Sequence, residues 1–429
     1  MVLGVATTAA YLIGANRSFT YDAAATFANF VATPSLWDAF AVRTVLPTVP
    51  IQYVATNDHV LISFISHLIY SLTGSRSEVV YRLIPALAAG GTVSLTTTVL
   101  ARRFGMIAGV CAGLYIATDP LFVDNSRDLR GYSLAALGAV LATILLAGSW
   151  TRWRLVAYSL VMGLAVAAQL FAVVVLLTHV GWIVTRRSRR DVYRLVPYWL
   201  GAAVLGGAAN AGIQLTELVT HGLPPSLFRP DFPRDTVLSL IGAPVLLPVG
   251  LWLAAAALGF WPLRREPWLW STLVVVAAVM SFLWLVLKPA FLYPRFFLVL
   301  VPACAYLMAA AIARWKVLAP VVALGAVTAV AGQLALYTDN QLALPQAAAF
   351  IDRIHAEGGR ACVIHSDEQV VAAYTTNYVV VTRPDQLSGC DAVVVVSWNV
   401  DLPLRDLAAK EFPKTTVLPA EYPTVILER

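Results

Sequence analysis

Long apolar runs, separated by clusters of arginine, constrain this chain more than any other feature. They cover residues 84–101, 106–122, 132–149, 154–185, 192–215, 236–258, 268–287, 293–313 and 317–337. A helix rises about 1.5 Å per residue, so about 20 apolar residues cross a hydrocarbon core about 30 Å thick. The run 154–185 is too long for one ordinary span and has basic residues at both ends, which fits two spans joined by a tight turn. With the opening stretch MVLGVATTAAYLIGA the count reaches about eleven spans. Composition agrees, since 59% of residues are hydrophobic and 13% charged, where soluble domains carry about 25% charged residues. The expected fold class is a mainly α-helical polytopic membrane protein.

Loops rich in Lys and Arg stay on the cytoplasmic side. Arg102-Arg103, Arg152 with Arg154, Arg186 to Arg190, Arg264-Arg265, and Arg314 with Lys316 fall on one face when the spans alternate. The net charge of +6 therefore reports topology rather than nucleic-acid binding. That alternation puts the loop 16–83, the turns near 123–131 and 288–294, the loop 216–235 and the chain after 338 outside the cell membrane. The opening stretch lacks the basic start and small-residue cleavage site of a signal peptide, and reads as a first span with its start missing or assigned late. Counting 57–74 as a span breaks the alternation, and it carries Asp58, His59 and His67. It reads as a helix lying at the interface, or else as a span paired with another.

From about Pro345 the apolar runs shrink to strand length, in ACVIH, NYVVVT and DAVVVVSW, separated by helix-like PQAAAFIDRIHAEGG and LPLRDLAAKEF. This alternation predicts a small α/β domain with a mostly parallel sheet and no glycine-rich phosphate loop. The chain divides into a membrane domain, 1–338, and an outer domain, 339–429. Its four cysteines form no CxxC. Cys111 and Cys304 sit in apolar runs as buried thiols, while Cys362 and Cys390 share the C-terminal segment and are free to pair in an oxidising compartment.

Among the charges on the outer face, Asp22, Asp38, Arg43, Asp58, His59, Asp119, Asp124, Arg127, Asp128, Arg130, Glu217, Lys288 and Arg295 carry weight as candidates. Ionisable groups at membrane depth are costly and mark functional sites. Asp22, in SFTYDAAATFANF, suits either a general base or the N-cap of the helix that follows. Arg127 and Arg130, with Tyr132 beside them, either converge on a phosphate at a helix start or pair with Asp124 and Asp128. Arg295 and Lys288 suit a lipid headgroup or a departing phosphate, or snorkel toward lipid. Asp58, His59 and His67 lack the further ligands that zinc requires, so orienting a substrate hydroxyl or the Asp22 carboxylate is the better reading. His179 reads as a satisfied intramembrane histidine.

Taken together, these segments resemble the multispan glycosyltransferases of the C superfamily (GT-C), particularly the bacterial branch similar to protein O-mannosyltransferases and the aminoarabinose lipid A transferase. YDAAAT resembles the acidic motif after the first span of that branch, with Ala23 replacing its second acid. TNDHVLISFISHLIYSLTGSRSEVVYRLIPAL is similar to the next landmark, without a proline after His59. Ser126 to Tyr132 resembles SRExRxYxL, and Tyr293-Pro294-Arg295-Phe296 resembles YxxRY, with Pro302 downstream. The resemblance implies inverting transfer of a sugar from a polyprenyl phosphate to a cell-envelope glycan, lipid or protein. Asp22 would be the base, Arg130 and Arg295 would neutralise the phosphate, and Asp58, His59, Arg127, Tyr132 and Tyr293 would bind substrate. No cofactor or metal site is indicated, although a divalent cation stays open. A transporter or lipid flippase is the rival, but it calls for matched halves with broken helices, which the sequence does not display. Loss of the second acid at Ala23 also leaves open a silent paralogue that binds polyprenyl lipid.

Overall fold

The computed structural model describes residues 1–37, 58–221, 226–289, 292–338, 342–396, 402–420 and 424–429. Asp38, Arg43 and the side chain of Glu217 lie outside the described residues. Helix α1 (Val2–Leu12) is followed by the short α2 (Tyr21–Thr26), which continues as a π-turn over Phe27–Val31. α3 (Val60–Thr73) ends on Gly74 at φ +63, the left-handed residue that closes many helices. α4 (Glu78–Phe104) carries Pro85 inside and Arg102 and Arg103 in its last turn. Next come α5 (Met106–Thr118), α6 (Pro120–Ser126), α7 (Tyr132–Ala147) and α8 (Arg152–Ala168). α9 (Val173–Arg186), α10 (Arg189–His221), α11 (Phe232–Ser239) and α12 (Leu246–Leu263) continue the bundle. α13 (Pro267–Ser281), α14 (Val301–Arg314) and α15 (Leu318–Thr338) complete it.

Every apolar run is helical, yet length and composition qualify only four helices as spans among the described residues, or five when the bent α5–α6 pair counts as one. The number of spans expected from the sequence is therefore not established by helix length. The run 154–185 does break, at Gln169, between α8 and a short turn that leads into α9. The run 236–258 is divided as well, because Gly242 takes φ +109 between α11 and α12. Small residues let the helices approach closely. A Cβ on Gly4 or Gly90 would strike the other's carbonyl oxygen where α1 crosses α4, and one on Gly259 would strike that of Leu307 where α12 meets α14.

The bundle has two chemically distinct ends. At the C-terminal end of α4, Arg103 lies 3.3 Å from Glu266, and Arg186 lies 3.8 Å from the same carboxylate. At its N-terminal end, Arg82 donates to the carbonyls of Ala15 and Ser18 at 2.9 and 2.8 Å and lies 3.7 Å from Asp128. Some 20 helical residues separate Arg82 from Arg103, roughly 30 Å along the axis.

The C-terminal segment consists of α16 (Leu344–Ala356), β1 (Ala361–Ile364), the one-turn α17 (Glu368–Val371), β2 (Val379–Val381), β3 (Ala392–Val396), α18 (Leu402–Glu411), β4 (Lys414–Leu418) and β5 (Thr424–Glu428). The sheet order is β2-β1-β3-β5-β4. β1 runs parallel to β2 and β3, but β5 is antiparallel to both β3 and β4. This corrects the mostly parallel sheet expected from sequence. Strands β4 and β5 follow each other too closely for the helical crossover that a parallel pair needs, and the exposed, threonine-rich β4 lacked an apolar run to mark it. Cys362 and Cys390 form a disulfide with Cα atoms 5.9 Å apart.

Candidate active site

The site assembles at the N-terminal end of α4 from segments far apart in sequence. Thr20, not Asp22, caps α2: its hydroxyl accepts from Ala23 N at 3.2 Å while donating to Asp128 Oδ2. The N-cap reading of Asp22 is thereby corrected. Threonine two residues earlier satisfies the free amide, and Asp22 stands in the first turn with its carboxylate turned elsewhere. An acid there also meets the positive end of the helix dipole favourably.

Asp22 Oδ2 is shared by two guanidiniums. Arg130 Nη2 forms a direct ion pair with it, and Arg295 Nη2 lies 2.9 Å away. The Arg130 side chain is only 3% exposed, whereas Asp22 and Arg295 keep 20% and 23%. The carboxylate is thus held by a buried cation on one side and open toward the surface on the other. Arg295 lies close to the Tyr132 hydroxyl, and its guanidinium stacks 4.6 Å from the Tyr293 ring centroid. Arg229 also approaches Tyr293, 5.8 Å from the ring centroid, and donates to Leu292 O at 2.8 Å.

His59 packs edge-on against Tyr132 with ring centroids 4.6 Å apart. Its Nδ1 lies 3.0 Å from Ala168 O. A carbonyl only accepts, so Nδ1 carries the proton and Nε2 is left as the ring's acceptor. Burial, then the positive charge of Arg130 and Arg295, pushes the His59 pKa down to about 3, and the ring stays neutral. Burial pushes Asp58 up to about 7 despite the hydrogen bond it accepts from Ser63. Its Oδ2 is buried with no hydrogen-bond partner among the described residues. Gly131 makes this packing possible: a Cβ there would overlap the Ala168 carbonyl oxygen and crowd His59.

Of the residues expected at the site, Asp22, Arg130, Arg295, Tyr132, His59 and Tyr293 come together, with Asp58 next to His59. Arg127 is engaged at the end of α1, donating to Tyr11 O at 3.3 Å and Ile13 O at 2.6 Å. Asp128 meets Arg82 and Thr20 instead of an arginine of its own segment. Lys288 lies 5.8 Å from the Phe228 ring centroid. His67 is bound to Val31 O, Thr33 and Ser71, and His179 to Thr143 and Tyr158, satisfied as expected. Among the described residues no group of His, Cys, Asp and Glu is placed to hold a metal.

Sequence reasoning missed Gln169 and Arg229. Gln169 is buried, adjoins the carbonyl that orients His59, and has an Oε1 without a partner. A lone amide inside a long apolar run was the signal for it. Arg229, in the loop SLFRPDF, had no such mark, because only folding brings it to Tyr293.

The chain shares its fold with the solved structures of ArnT and AftD. Among solved structures it is similar to ArnT from Cupriavidus metallidurans in the apo state, with a TM-score of 0.64 at 13% identity over 99% of this chain and 97% of that one. ArnT bound to undecaprenyl phosphate gives 0.56 at 13% identity over the same shares. The mycobacterial arabinofuranosyltransferase AftD gives 0.54 at 15% identity, over 100% of this chain and 40% of AftD. No family profile and no curated relative matches the sequence.

Proposed function

We propose that the protein is a membrane glycosyltransferase that moves a sugar from a polyprenyl-phosphate donor to a cell-envelope glycan, lipid or protein, with inversion, on the outer face of the cell membrane. The observation that carries this reading is one carboxylate, Asp22, held by two arginines from distant segments. In the resting site both guanidiniums bind Asp22. A donor phosphate competes for them, because a guanidinium fork suits a phosphate as well as a carboxylate. Asp22, released, takes the proton of the acceptor hydroxyl as its oxygen attacks the anomeric carbon. The bond from that carbon to the phosphate oxygen breaks, its electron pair leaves with the phosphate, and Arg130 and Arg295 neutralise the added negative charge. Fixed cations at a leaving group act where charge develops, and losing one such contact typically costs about 10²–10³-fold in rate.

Neutral His59 is suited to accept from a sugar hydroxyl, and Asp58, whose carboxyl burial raises to about 7, is suited to donate to one in its protonated form. Tyr132 and Tyr293 shape the site through their contacts with Arg295. The Cys362–Cys390 disulfide supports an outer, oxidising location for residues 339–429. The basic clusters support eleven spans in residues 1–338. The similarity to ArnT, one of whose structures holds undecaprenyl phosphate, supports the donor class.

The test is transfer by purified protein in nanodiscs, given radiolabelled sugars on undecaprenyl phosphate and a membrane extract as acceptor source. Asp22→Asn keeps an oxygen for the guanidiniums but is a far weaker base, and transfer is expected to disappear. Undiminished transfer by Asp22→Asn would remove the proposed base. Donor lipid carried across a vesicle membrane without transfer would establish the flippase instead.

A further inference from the structure

The core of the C-terminal segment is continuous with the start of the chain. Residues Cys362, Ile364, Val393 and Val395 on one sheet face are covered by Leu404, Ala408 and Phe412. On the other face, Val363, Val394 and Val396 join one continuous apolar cluster with Phe19, Tyr21 and Phe27. The apolar cluster on the second face of the sheet therefore runs on, through α16 and α17, to the segment that carries Asp22.

Polar contacts fix the same junction. Gln369, in α17, donates from Nε2 to the Tyr21 hydroxyl, and both groups are buried. The Tyr374 hydroxyl accepts from Phe19 N at 2.7 Å and donates to Glu78 Oε1 at 2.7 Å, tying the approach to α2 to the first turn of α4. Arg76 donates to Ala373 O at 2.8 Å beside it. The Phe19 and Tyr374 rings lie 5.9 Å apart. A helix of six residues has no stability of its own. Its place is set by what binds it, here Asp128 through Thr20 on one side and the C-terminal segment on the other.

We infer that Gln369 and Tyr374 are positioning residues for Asp22: the C-terminal domain sets the α2 carboxylate against Arg130 and Arg295 and belongs to the transfer apparatus. The inference rests on Asp22 acting as the base. Tyr21 adjoins Asp22 and Phe19 lies three residues before it, so a shift at either contact moves the carboxylate.

The experiment uses the full chain in nanodiscs with Gln369→Ala, Tyr21→Phe, the double variant, and Tyr374→Phe, which keeps the ring. Each is assayed with the radiolabelled undecaprenyl-phosphate sugar that the unsubstituted protein turns over. Misplacing a reacting group by about 1 Å costs up to about 10²-fold, so kcat is expected to fall about tenfold or more with KM for the donor lipid nearly unchanged. If Gln369 and Tyr21 act through one contact, the double variant loses no more than the worse single one. Hydrogen exchange of residues 19–31 is expected to quicken in Gln369→Ala and Tyr374→Phe, while that of strands 361–364 and 392–396 is unchanged. Unchanged kcat in both variants, additive losses, or exchange that quickens equally in the strands would overturn the inference. Absence of transfer in the unsubstituted protein would count against the proposed function, and the exchange measurement would still decide whether the domain holds α2.

Discussion

Asp22 has two basic partners, and the three differ in burial in a way that assigns their tasks. Arg130 is sequestered and anchors the carboxylate, while Arg295 is part-exposed and, in the proposed reaction, is the guanidinium an arriving phosphate would meet first. Replacing Arg295 with Lys keeps the charge but loses the planar fork and the stack on Tyr293. The expected result is a kcat/KM reduced by about 10–10²-fold with the fold intact, read from initial rates and the melting temperature. Asp58 gives a prediction in pH. Its folded pKa of about 7 lies above the ordinary 3.8, so the native state holds a proton that the unfolded chain releases. Its contribution is present in full below about pH 4 and is lost as pH rises through about 7, a difference of a few kcal/mol. Thermal unfolding across that window should therefore show stability falling with pH, and Asp58→Asn should flatten the fall.

At the scale of elements, the site depends on two close approaches. Gly131 lets the start of α7 rest against the last carbonyl of α8, which in turn orients His59. Gly131→Ala must push these apart, with an expected cost of about 1–3 kcal/mol, as for an overpacked core. Arg130 and Tyr132 flank the glycine, so transfer should fall along with the melting temperature, and the pair of measurements checks this. Thr20 serves α2 twice, as cap and as donor to Asp128. Thr20→Val keeps the shape and removes both bonds, and about 1–2 kcal/mol of stability should go with the cap. In the sequence, SFTYDAAAT reads with Asp22 as the candidate cap, and Thr20, two residues earlier, goes unnoticed. Which side chain meets the free amide depends on what draws the other away, and the arginines that draw Asp22 arrive from positions 130 and 295.

Across the whole molecule, the shared apolar cluster and the contacts of Gln369 and Tyr374 join the C-terminal segment to the bundle, while the disulfide braces that segment within itself. Closing 28 residues removes unfolded-state entropy worth about 3–4 kcal/mol in the loop-closure account. Cys362→Ser with Cys390→Ser should lower the melting temperature, and because this segment seals α2 the loss should reach transfer before global unfolding, as parallel activity and unfolding curves will reveal. Much of the architecture was legible in the chain. Apolar length marked the helices and the break in 154–185, though not those at Asp119 and Gly242, the arginine clusters marked one end of the bundle, and strand-length runs marked β1, β2 and β3. These signals are local, set by hydrophobic transfer and by periodicity along a few turns. The polar strand β4, the tasks of Arg127 and Arg229, the capping of α2 and the meeting of Gln369 with Tyr21 were not legible. Each depends on which distant group lies within about 3–6 Å, and one-dimensional order carries no such distance. The sequence by itself determined a helical membrane chain with a few charges gathered at one end. Only the tertiary structure decided that Arg130 and Arg295 share Asp22, because charges pair according to where packing leaves them.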